Sequence, residues 1–264
     1  MSAPGVLVVV STGVLGLLVG SFLNVVIVRV PAGRSVVRPR SACPACSAPI
    51  RSRDEVPVVS WVLLGGRCRD CSASVPARYP AVEATTAVLF AAIAVGYRHS
   101  SAFAALLWVA AAGVALFVID VDLHRLPDGI VLPSYPVVVA LLAAGGAVTG
   151  ELPVVRALSS ALVWLAVYGG LWLLTGGRGM GLGDVKLSGL LGLLLGWLGW
   201  GASAVGLFAG FAVGAVVGVG LIATGRLTRG APIAHGPFLL VGAGVGVVTG
   251  AAAAHVWLSL TGAA

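Results

Sequence analysis

Long runs of apolar residues make up most of the chain, and short polar segments separate them. A helix needs roughly 20 mostly apolar residues to cross the hydrocarbon core of a bilayer. About eight segments approach this length, of which the sixth is short. The pattern predicts an all-α polytopic membrane protein with about eight transmembrane helices. The predicted spans are 6–28, 80–95, 102–120, 130–148, 153–174, 185–198, 202–223 and 237–260.

A single long polar stretch, residues 31–79, lies between the first and second spans. It divides the chain into a first membrane helix at 1–30, a small loop domain at 31–79 and a seven-helix membrane domain at 80–264. The first apolar run has no basic segment before it and no obvious small-residue cleavage site. It is therefore interpreted as a retained membrane helix and not as a signal peptide.

The composition excludes a soluble globular enzyme. Hydrophobic residues make up 59% of the chain and charged residues only 9%, with a mean hydropathy of +1.06. A soluble domain carries about 25% charged residues because it needs a wet surface. The outside of this protein must therefore face lipid. The 38 glycines suit the close approach of helices in a membrane.

The net charge of +7 indicates membrane orientation and not nucleic-acid binding. Most arginines fall in the 31–79 loop or in other connections on the same side, whereas the opposite side receives only Arg98 and Arg156. By the positive-inside rule, the loop is cytoplasmic and both termini lie outside. This predicts a multi-pass protein of the cytoplasmic (inner) membrane, with anionic lipids as the partner of the basic charge. The residues on the basic side include Arg34, Arg38, Arg40, Arg51, Arg53, Arg67, Arg69, Arg78, Arg125, Arg178, Lys186, Arg226 and Arg229.

All four cysteines lie in the predicted cytoplasmic loop, as two C-x-x-C pairs separated by 21 residues. This spacing is typical of a four-thiolate zinc site. The loop has too little apolar content to fold by burial alone, so metal binding would stabilise it. Disulfides are the alternative, and the reducing side of the membrane disfavours them. A closed four-sulfur site leaves no position for substrate, so the zinc is predicted to be structural. The ligands are Cys43, Cys46, Cys68 and Cys71.

Several acidic residues lie at the predicted cytoplasmic ends of the spans. A carboxylate close to hydrocarbon is costly and indicates function. Asp120 follows the apolar run 115–119, and its only basic neighbour one turn on is His124. Asp184 ends a G-x-G-D motif with Gly181 and Gly183, which allow irregular backbone and close helix approach.

The residues alone do not separate Asp120 from Asp122 and Asp128, which Arg125 could pair with in a wet loop. Two aspartates from different helices can share one proton, because like charges a few ångströms apart do not both ionise easily. One would then activate a water as general base while the other protonates a scissile carbonyl. A serine or cysteine nucleophile has less support because the four histidines are scattered.

Taken in order, these motifs resemble the type IV prepilin peptidase family. The resemblance begins at Gly20-Ser-Phe-Leu-Asn24 and runs through both cysteine pairs, Ser60-Trp61 and Arg78-Tyr-Pro-Ala-Val-Glu83. It continues through the Asp120 segment and the G-x-G-D segment ending at Lys186, and closes at Pro232-Ile-Ala-His235-Gly-Pro-Phe238. One departure stands in the loop, where Asp54-Glu55-Val56-Pro57 replaces the family's usual Asp-Asn-Ile-Pro.

The resemblance implies an aspartyl protease whose catalytic residues are Asp120 and Asp184, with Gly181, Gly183 and Lys186 as the supporting motif. Family members remove a short basic leader from prepilins or pseudopilins after a glycine, on the cytoplasmic face. Many also methylate the new N-terminus with S-adenosylmethionine, an activity linked to the cysteine loop. The sequence itself yields no S-adenosylmethionine-binding residues and no oligomeric state.

Two other classes of protein share some of these features. An ion- or proton-coupled transporter would also place carboxylates in the membrane. The acids here gather at one face, however, and no inverted repeat is visible. A non-catalytic assembly factor could use the zinc loop for docking.

Overall fold

The computed structural model describes residues 3–178, 180–225 and 234–261. Arg226, Arg229 and the first residues of the Pro232 motif, all used above, lie outside the described residues. Within these ranges the chain is almost entirely helical, and β-structure is limited to two isolated bridges. The long helices are α1 (Ala3–Arg29), α3 (Arg78–Tyr97), α4 (Phe103–Leu123), α5 (Asp128–Thr149), α6 (Val154–Thr175), α7 (Leu182–Leu198), α8 (Trp200–Ala223) and α9 (Gly236–Thr261); a 3₁₀ turn at Ser52–Asp54 and the short α2 (Val59–Leu63) lie in the loop.

The prediction of an all-α polytopic membrane protein is confirmed. Seven helices in the described part of the chain are long and apolar enough to cross a membrane. The sixth predicted span, 185–198, corresponds to α7, which has 17 residues. Of these, every residue from Leu187 to Trp197 is buried, so α7 is surrounded by protein.

The chain divides into two compact units, Met1–Ala115 and Leu116–Ala264, here called the N-terminal unit and the C-terminal unit. In the N-terminal unit, α1 packs along α3. Gly16 and Gly20 allow this close approach, because a Cβ on Gly20 would lie 2.6 Å from the Cα of Glu83. The side-chain amide of Asn24 donates to the carbonyl of Tyr79 at 3.2 Å, which fixes the C-terminal part of α1 beside the start of α3.

The C-terminal unit is built around α7, which packs against α5, α6, α8 and α9. Polar side chains of α6 bond to backbone carbonyls along it. Ser160 donates to the carbonyl of Gly192 at 2.7 Å. The guanidinium of Arg156 donates to the carbonyls of Gly196 and Trp197, each at 2.7 Å, and so caps the last turn of α7, where carbonyls lack helical partners. The helix that carries Asp184 is thus held along most of its length.

Candidate active site

Asp120 lies in the last turn of α4 and is 4% exposed. Its Oδ2 accepts a hydrogen bond from the backbone N–H of Gly236 at 3.0 Å, where α9 begins. A larger residue at this point would displace the carboxylate or the helix start, because a Cβ on Gly236 would lie 2.8 Å from that same oxygen. The first N–H groups of a helix lack intrahelical partners and favour an anion, so the start of α9 forms a cradle for this carboxylate.

Asp184 lies in the first turn of α7 and is 6% exposed. Its Oδ2 accepts a hydrogen bond from the backbone N–H of Gly181 at 2.9 Å, the residue that precedes the helix. The side chain therefore folds back over its own helix start, which is the arrangement that favours a negative charge there. The second oxygen, Oδ1, is buried and has no hydrogen-bond partner among the described residues.

The short connection at 124–127 brings the two aspartates together. Leu126 in this connection packs against Gly183, where a Cβ would lie 2.9 Å from the leucine Cβ. It also packs against Gly236, where a Cβ would lie 3.2 Å from the leucine Cδ2. One side chain thus touches the residue before Asp184 and the residue that binds Asp120. Leu126 therefore links the two ends of the site, the start of α7 and the start of α9.

A set of polar contacts from α5 holds the start of α7. The ammonium group of Lys186 donates to both carboxylate oxygens of Asp128, at 2.8 and 2.9 Å. The hydroxyl of Tyr135 donates to the backbone carbonyl of Lys186 at 2.6 Å. Asp128 therefore pairs with Lys186, a partner that the sequence analysis did not consider for it. These bonds fix the backbone two residues after Asp184.

Three buried side-chain atoms without a hydrogen-bond partner among the described residues all lie in the C-terminal unit. They are Asp184 Oδ1, Tyr168 Oη and His235 Nε2. The rings of Tyr168 and His235 are 5.8 Å apart, and the charge of Asp184 acts on Tyr168. An unpaired buried polar group costs about 1–3 kcal/mol, and such groups call for an explanation. Their gathering beside the aspartates indicates a place where substrate or water binds.

The four cysteines of the N-terminal unit form a candidate metal centre. Their sulfur atoms lie within 4.8 Å of one another, and those of Cys43 and Cys71 are 3.8 Å apart. A tetrahedral site with Zn–S bonds of ~2.3 Å has sulfur–sulfur edges of roughly 3.8 Å. The donor set therefore fits a zinc ion, and these residues can hold a metal.

The two cysteine pairs have the same local fold. In the first, the N–H of Cys43 donates to the carbonyl of Ala48, and in the second the N–H of Cys68 donates to that of Ala73, at 2.9 and 2.8 Å. The serine after each pair adopts a positive φ, 60° at Ser47 and 58° at Ser72. The left-handed backbone turns each chain back on itself, which points both sulfurs of a pair to one centre.

A buried glutamate connects the loop to α3. The carboxylate of Glu83 accepts a hydrogen bond from the backbone N–H of Val58 at 2.7 Å. Val58 has a φ of 61°, which is unfavourable for a β-branched residue. The bond to Glu83 holds this backbone in place immediately before Ser60 and Trp61.

A cleft of about 300 Å³ lies in the N-terminal unit, between the end of α1 and the loop. Arg29, Arg40 and Glu55 contribute charged groups to its lining, Ser41 and Ser52 contribute hydroxyls, and Phe22, Val25 and Ile50 are among its apolar residues. Small-molecule sites are usually at least ~300 Å³ and combine apolar walls with a few polar groups. The sequence analysis derived no cofactor-binding residues in this region.

The structure places the sequence-predicted residues in two clusters. Asp120, Asp184, Gly181, Gly183 and Lys186 gather in the C-terminal unit, and the four cysteines gather in the N-terminal unit. The sequence analysis missed Tyr168, which sits in an apolar helix with no motif around it. It also gave His235 no role of its own, although His235 directly precedes the glycine that binds Asp120.

Comparisons with known proteins agree with this division. Residues 14–97 match the model of the bacterial peptidase A24 N-terminal domain, and residues 106–219 match that of the type IV leader peptidase family. A prepilin leader peptidase/N-methyltransferase of Aeromonas hydrophila is 37% identical over 89% of this chain and 88% of its own length. The proteins of the same name from Pseudomonas aeruginosa and Neisseria gonorrhoeae are 32% and 36% identical, over 96% and 86% of this chain and 94% and 86% of their own lengths.

No solved structure matches the chain, so the assignment depends on the sequence comparisons and on the arrangement of the residues described above. The two family models match successive parts of the chain, and the relatives match over most of their own lengths. The chain belongs to the type IV leader peptidase family.

Proposed function

We propose that the chain is a membrane aspartyl endopeptidase that removes the basic leader of type IV prepilins or pseudopilins after a glycine. In this proposal the protein lies in the inner membrane, its loop and active site face the cytoplasm, and its termini face outward. A second proposed activity is methylation of the new N-terminus. The observation that carries the peptidase is the pair of buried carboxylates, each of which accepts a hydrogen bond from one backbone N–H and both of which lie beside residues that Leu126 contacts.

The geometry supports hydrolysis by a water shared between the two aspartates. One carboxylate takes a proton from the water as its oxygen bonds to the scissile carbonyl carbon, and the other carboxyl gives its proton to the carbonyl oxygen. When the tetrahedral species breaks down, the C–N bond breaks and the leaving nitrogen takes the proton that the first carboxylate removed from the water. The hydroxyl formed from the carbonyl oxygen returns its proton to the other carboxylate. The unpartnered Oδ1 of Asp184 is free to face this water, while Oδ2 stays bonded to Gly181.

The cysteine cluster is proposed to hold a structural zinc ion. All four sulfurs would be used as ligands, so the ion has no open position for substrate. The role of these residues is to stabilise a loop that has few buried apolar side chains. Of the four cysteines, Cys43 alone is buried.

The cleft beside the loop is the proposed place for S-adenosylmethionine. When bound, S-adenosylmethionine supplies a methyl carbon that the free amine attacks, while the C–S electron pair goes to sulfur and the proton lost by the amine goes to solvent. The lining fits this zwitterion, because Arg29 and Arg40 can bind its carboxylate and Glu55 can face its positive charge. The two arginines disfavour the basic leader as an occupant.

The test is a panel of prepilins incubated with the full-length protein in detergent and S-adenosylmethionine, followed by mass measurement of the products. The expected mass reports loss of the leader after a glycine and the addition of one methyl group. Asp120→Ala and Asp184→Ala should each abolish leader removal while the protein remains in the membrane fraction. Full cleavage by either variant would refute the aspartyl mechanism.

A further inference from the structure

We propose that Tyr168 is a third catalytic residue, whose hydroxyl donates a hydrogen bond to the substrate carbonyl oxygen as negative charge develops on it. We also propose that His235 binds the same substrate segment through Nε2. This inference rests on the peptidase function proposed above. It starts from Tyr168 Oη and His235 Nε2, two unpaired atoms among the described residues to which the two-aspartate mechanism gives no role.

The two-aspartate mechanism supplies the carbonyl oxygen with a single donor, the carboxyl that gives it a proton. The backbone N–H groups of Gly181 and Gly236 are already used by the carboxylates. While that proton is only partly transferred, negative charge develops on the carbonyl oxygen and also on the carboxyl that is losing the proton. Stabilising that charge with a preorganised donor is a large part of catalysis at carbonyl groups. A neutral hydroxyl beside the aspartates would supply such a donor.

Tyr168 has the required position and rigidity. Its side chain is fully buried, and its ring stacks on Phe211 with centroids 5.0 Å apart and an interplanar angle of 10°. The hydroxyl has no partner among the described residues. The next residue, Gly169, faces the neighbour of Asp184, because a Cβ on it would lie 3.7 Å from Val185 Cγ1. Gly210 faces the hydroxyl, where a Cβ would lie 3.5 Å from it. The ring is therefore fixed by packing, while the hydroxyl lies beside Gly210, which has no side chain to cover it.

His235 lies next to this hydroxyl and next to the Asp120 cradle. Its ring is 5.8 Å from that of Tyr168 and 5.9 Å from that of Phe238, which it meets edge-on. Nε2 is buried without a partner in the described part of the chain. The following residue, Gly236, donates the N–H that binds Asp120. A peptide that reaches the aspartates would thus meet an unpaired imidazole nitrogen against an aromatic wall.

Removal of one oxygen atom tests the role of Tyr168. Tyr168→Phe keeps the ring and its stacking, and kcat for leader removal should fall by about 10²-fold with KM changed less than twofold. Thermal stability should stay the same or rise, because the variant loses a buried hydroxyl that has no partner. If the hydroxyl had only a structural role, Tyr168→Phe would instead lower the Tm and leave kcat unchanged. Tyr79→Phe in the N-terminal unit is the matched control and should leave cleavage unchanged.

The histidine is tested by a pair of variants. His235→Phe keeps an aromatic ring and should raise KM by about two- to tenfold, the value of one lost hydrogen bond. His235→Gln places an amide near the position of Nε2 and should restore part of the loss.

The outcomes separate this inference from the peptidase proposal. Tyr168→Phe that cleaves within threefold of the wild type overturns the role of Tyr168, while the peptidase proposal stands. Unchanged KM in His235→Phe overturns the role of His235. A wild-type chain that cleaves no prepilin overturns the peptidase proposal and this inference with it.

Discussion

The proposed metal centre of the loop and the proposed aspartate site of the C-terminal unit differ in how their residues are held in place. The sulfurs of Cys46 and Cys71 belong to exposed residues, and the loop around them presents exposed side chains such as Val37, 76% exposed, and Leu63, 80% exposed. Asp120 and Asp184 are 4% and 6% exposed. The loop is therefore organised around a ligand cluster, whereas the aspartates are fixed by helices packed closely on all sides.

This difference predicts whether a single substitution affects folding or chemistry. Structural metal sites contribute folding energy directly, since a loop of this kind buries too little apolar surface to order itself. In the C-terminal unit the helices would stay packed after a change at one carboxylate, because α7 is surrounded by α5, α6, α8 and α9. A substitution in the loop should thus affect folding and metal content first, and a substitution at the aspartates should affect chemistry first.

The largest effect is expected from Asp184→Asn, which keeps the side-chain shape but cannot exchange a proton as a carboxyl does. Leader removal should fall by about 10³- to 10⁴-fold, as when one member of a proton-transferring set is lost. Methylation of a substrate supplied without its leader should continue at the wild-type rate, and the metal content should not change. Mass measurement of the cleaved and the methylated products checks both expectations. The control is Glu151→Gln, a change at an exposed residue. Parallel loss of methylation would show that the two sites do not work independently.

The second largest effect is expected from Cys43→Ser, which should abolish methylation and leave leader removal nearly intact. Loss of one thiolate from the four-sulfur cluster should remove the metal, expose the loop to proteolysis and abolish methylation, because structural zinc contributes on the order of 10 kcal/mol to folding. Leader removal should stay within a few-fold of the wild type. Metal analysis with limited proteolysis measures the outcome, and Ser74→Ala, an exposed change in the same loop, is the control. Purified wild-type protein without zinc would refute the four-thiolate site.

The third effect tests the close packing around Asp120. A methyl group at Gly236 would lie 2.8 Å from Asp120 Oδ2, so Gly236→Ala must move the carboxylate or the start of α9. A displacement of about 1 Å at a catalytic group costs up to 10²-fold in rate, and we expect cleavage to fall about 10- to 100-fold with metal content unchanged. Gly244→Ala on the same helix is the control, since a Cβ there has nothing within 4 Å. Equal activities of the two variants would argue against the cradle.

Much of the fold was predictable because the membrane limits what a chain can do. Apolar runs of the necessary length must become helices, since unpaired backbone groups are too costly in lipid, and the structure places long helices at all eight predicted positions. Hydropathy alone does not show that α7 is surrounded by other helices. A leucine-rich segment that faces other helices has the same composition as one that faces lipid, although its 17 residues are short for a full crossing.

The candidate site was predictable only where motifs mark it. Costly acids, the G-x-G-D glycines and the cysteine spacing all leave a pattern in the sequence. Tyr168 leaves none, because an isolated tyrosine in an apolar helix looks like a core residue. The partner of Asp128 was also hidden. Arg125 is near in sequence, but helix packing brings Lys186 from 58 residues away.

The smallest effect is expected from loss of the ion pair between Lys186 and Asp128. It tests whether the residues at the edge of the buried site take part in the reaction. The Lys186–Asp128 bond is short, at 2.8 Å, but the two side chains are 31% and 56% exposed. Solvent-exposed ion pairs contribute about 0–1 kcal/mol and are screened by salt. Lys186→Met and Asp128→Asn should each reduce cleavage less than about fivefold, and the double variant should lose little more than either alone, because both remove the same contact. Raising the salt concentration should reduce the difference in cleavage rate between these variants and the wild type, because salt screens the ion pair in the wild type. A loss of 10²-fold in Lys186→Met that Asp128→Asn does not share would instead give the lysine a direct part in the reaction, and the boundary of the active site would have to be moved outward to include it.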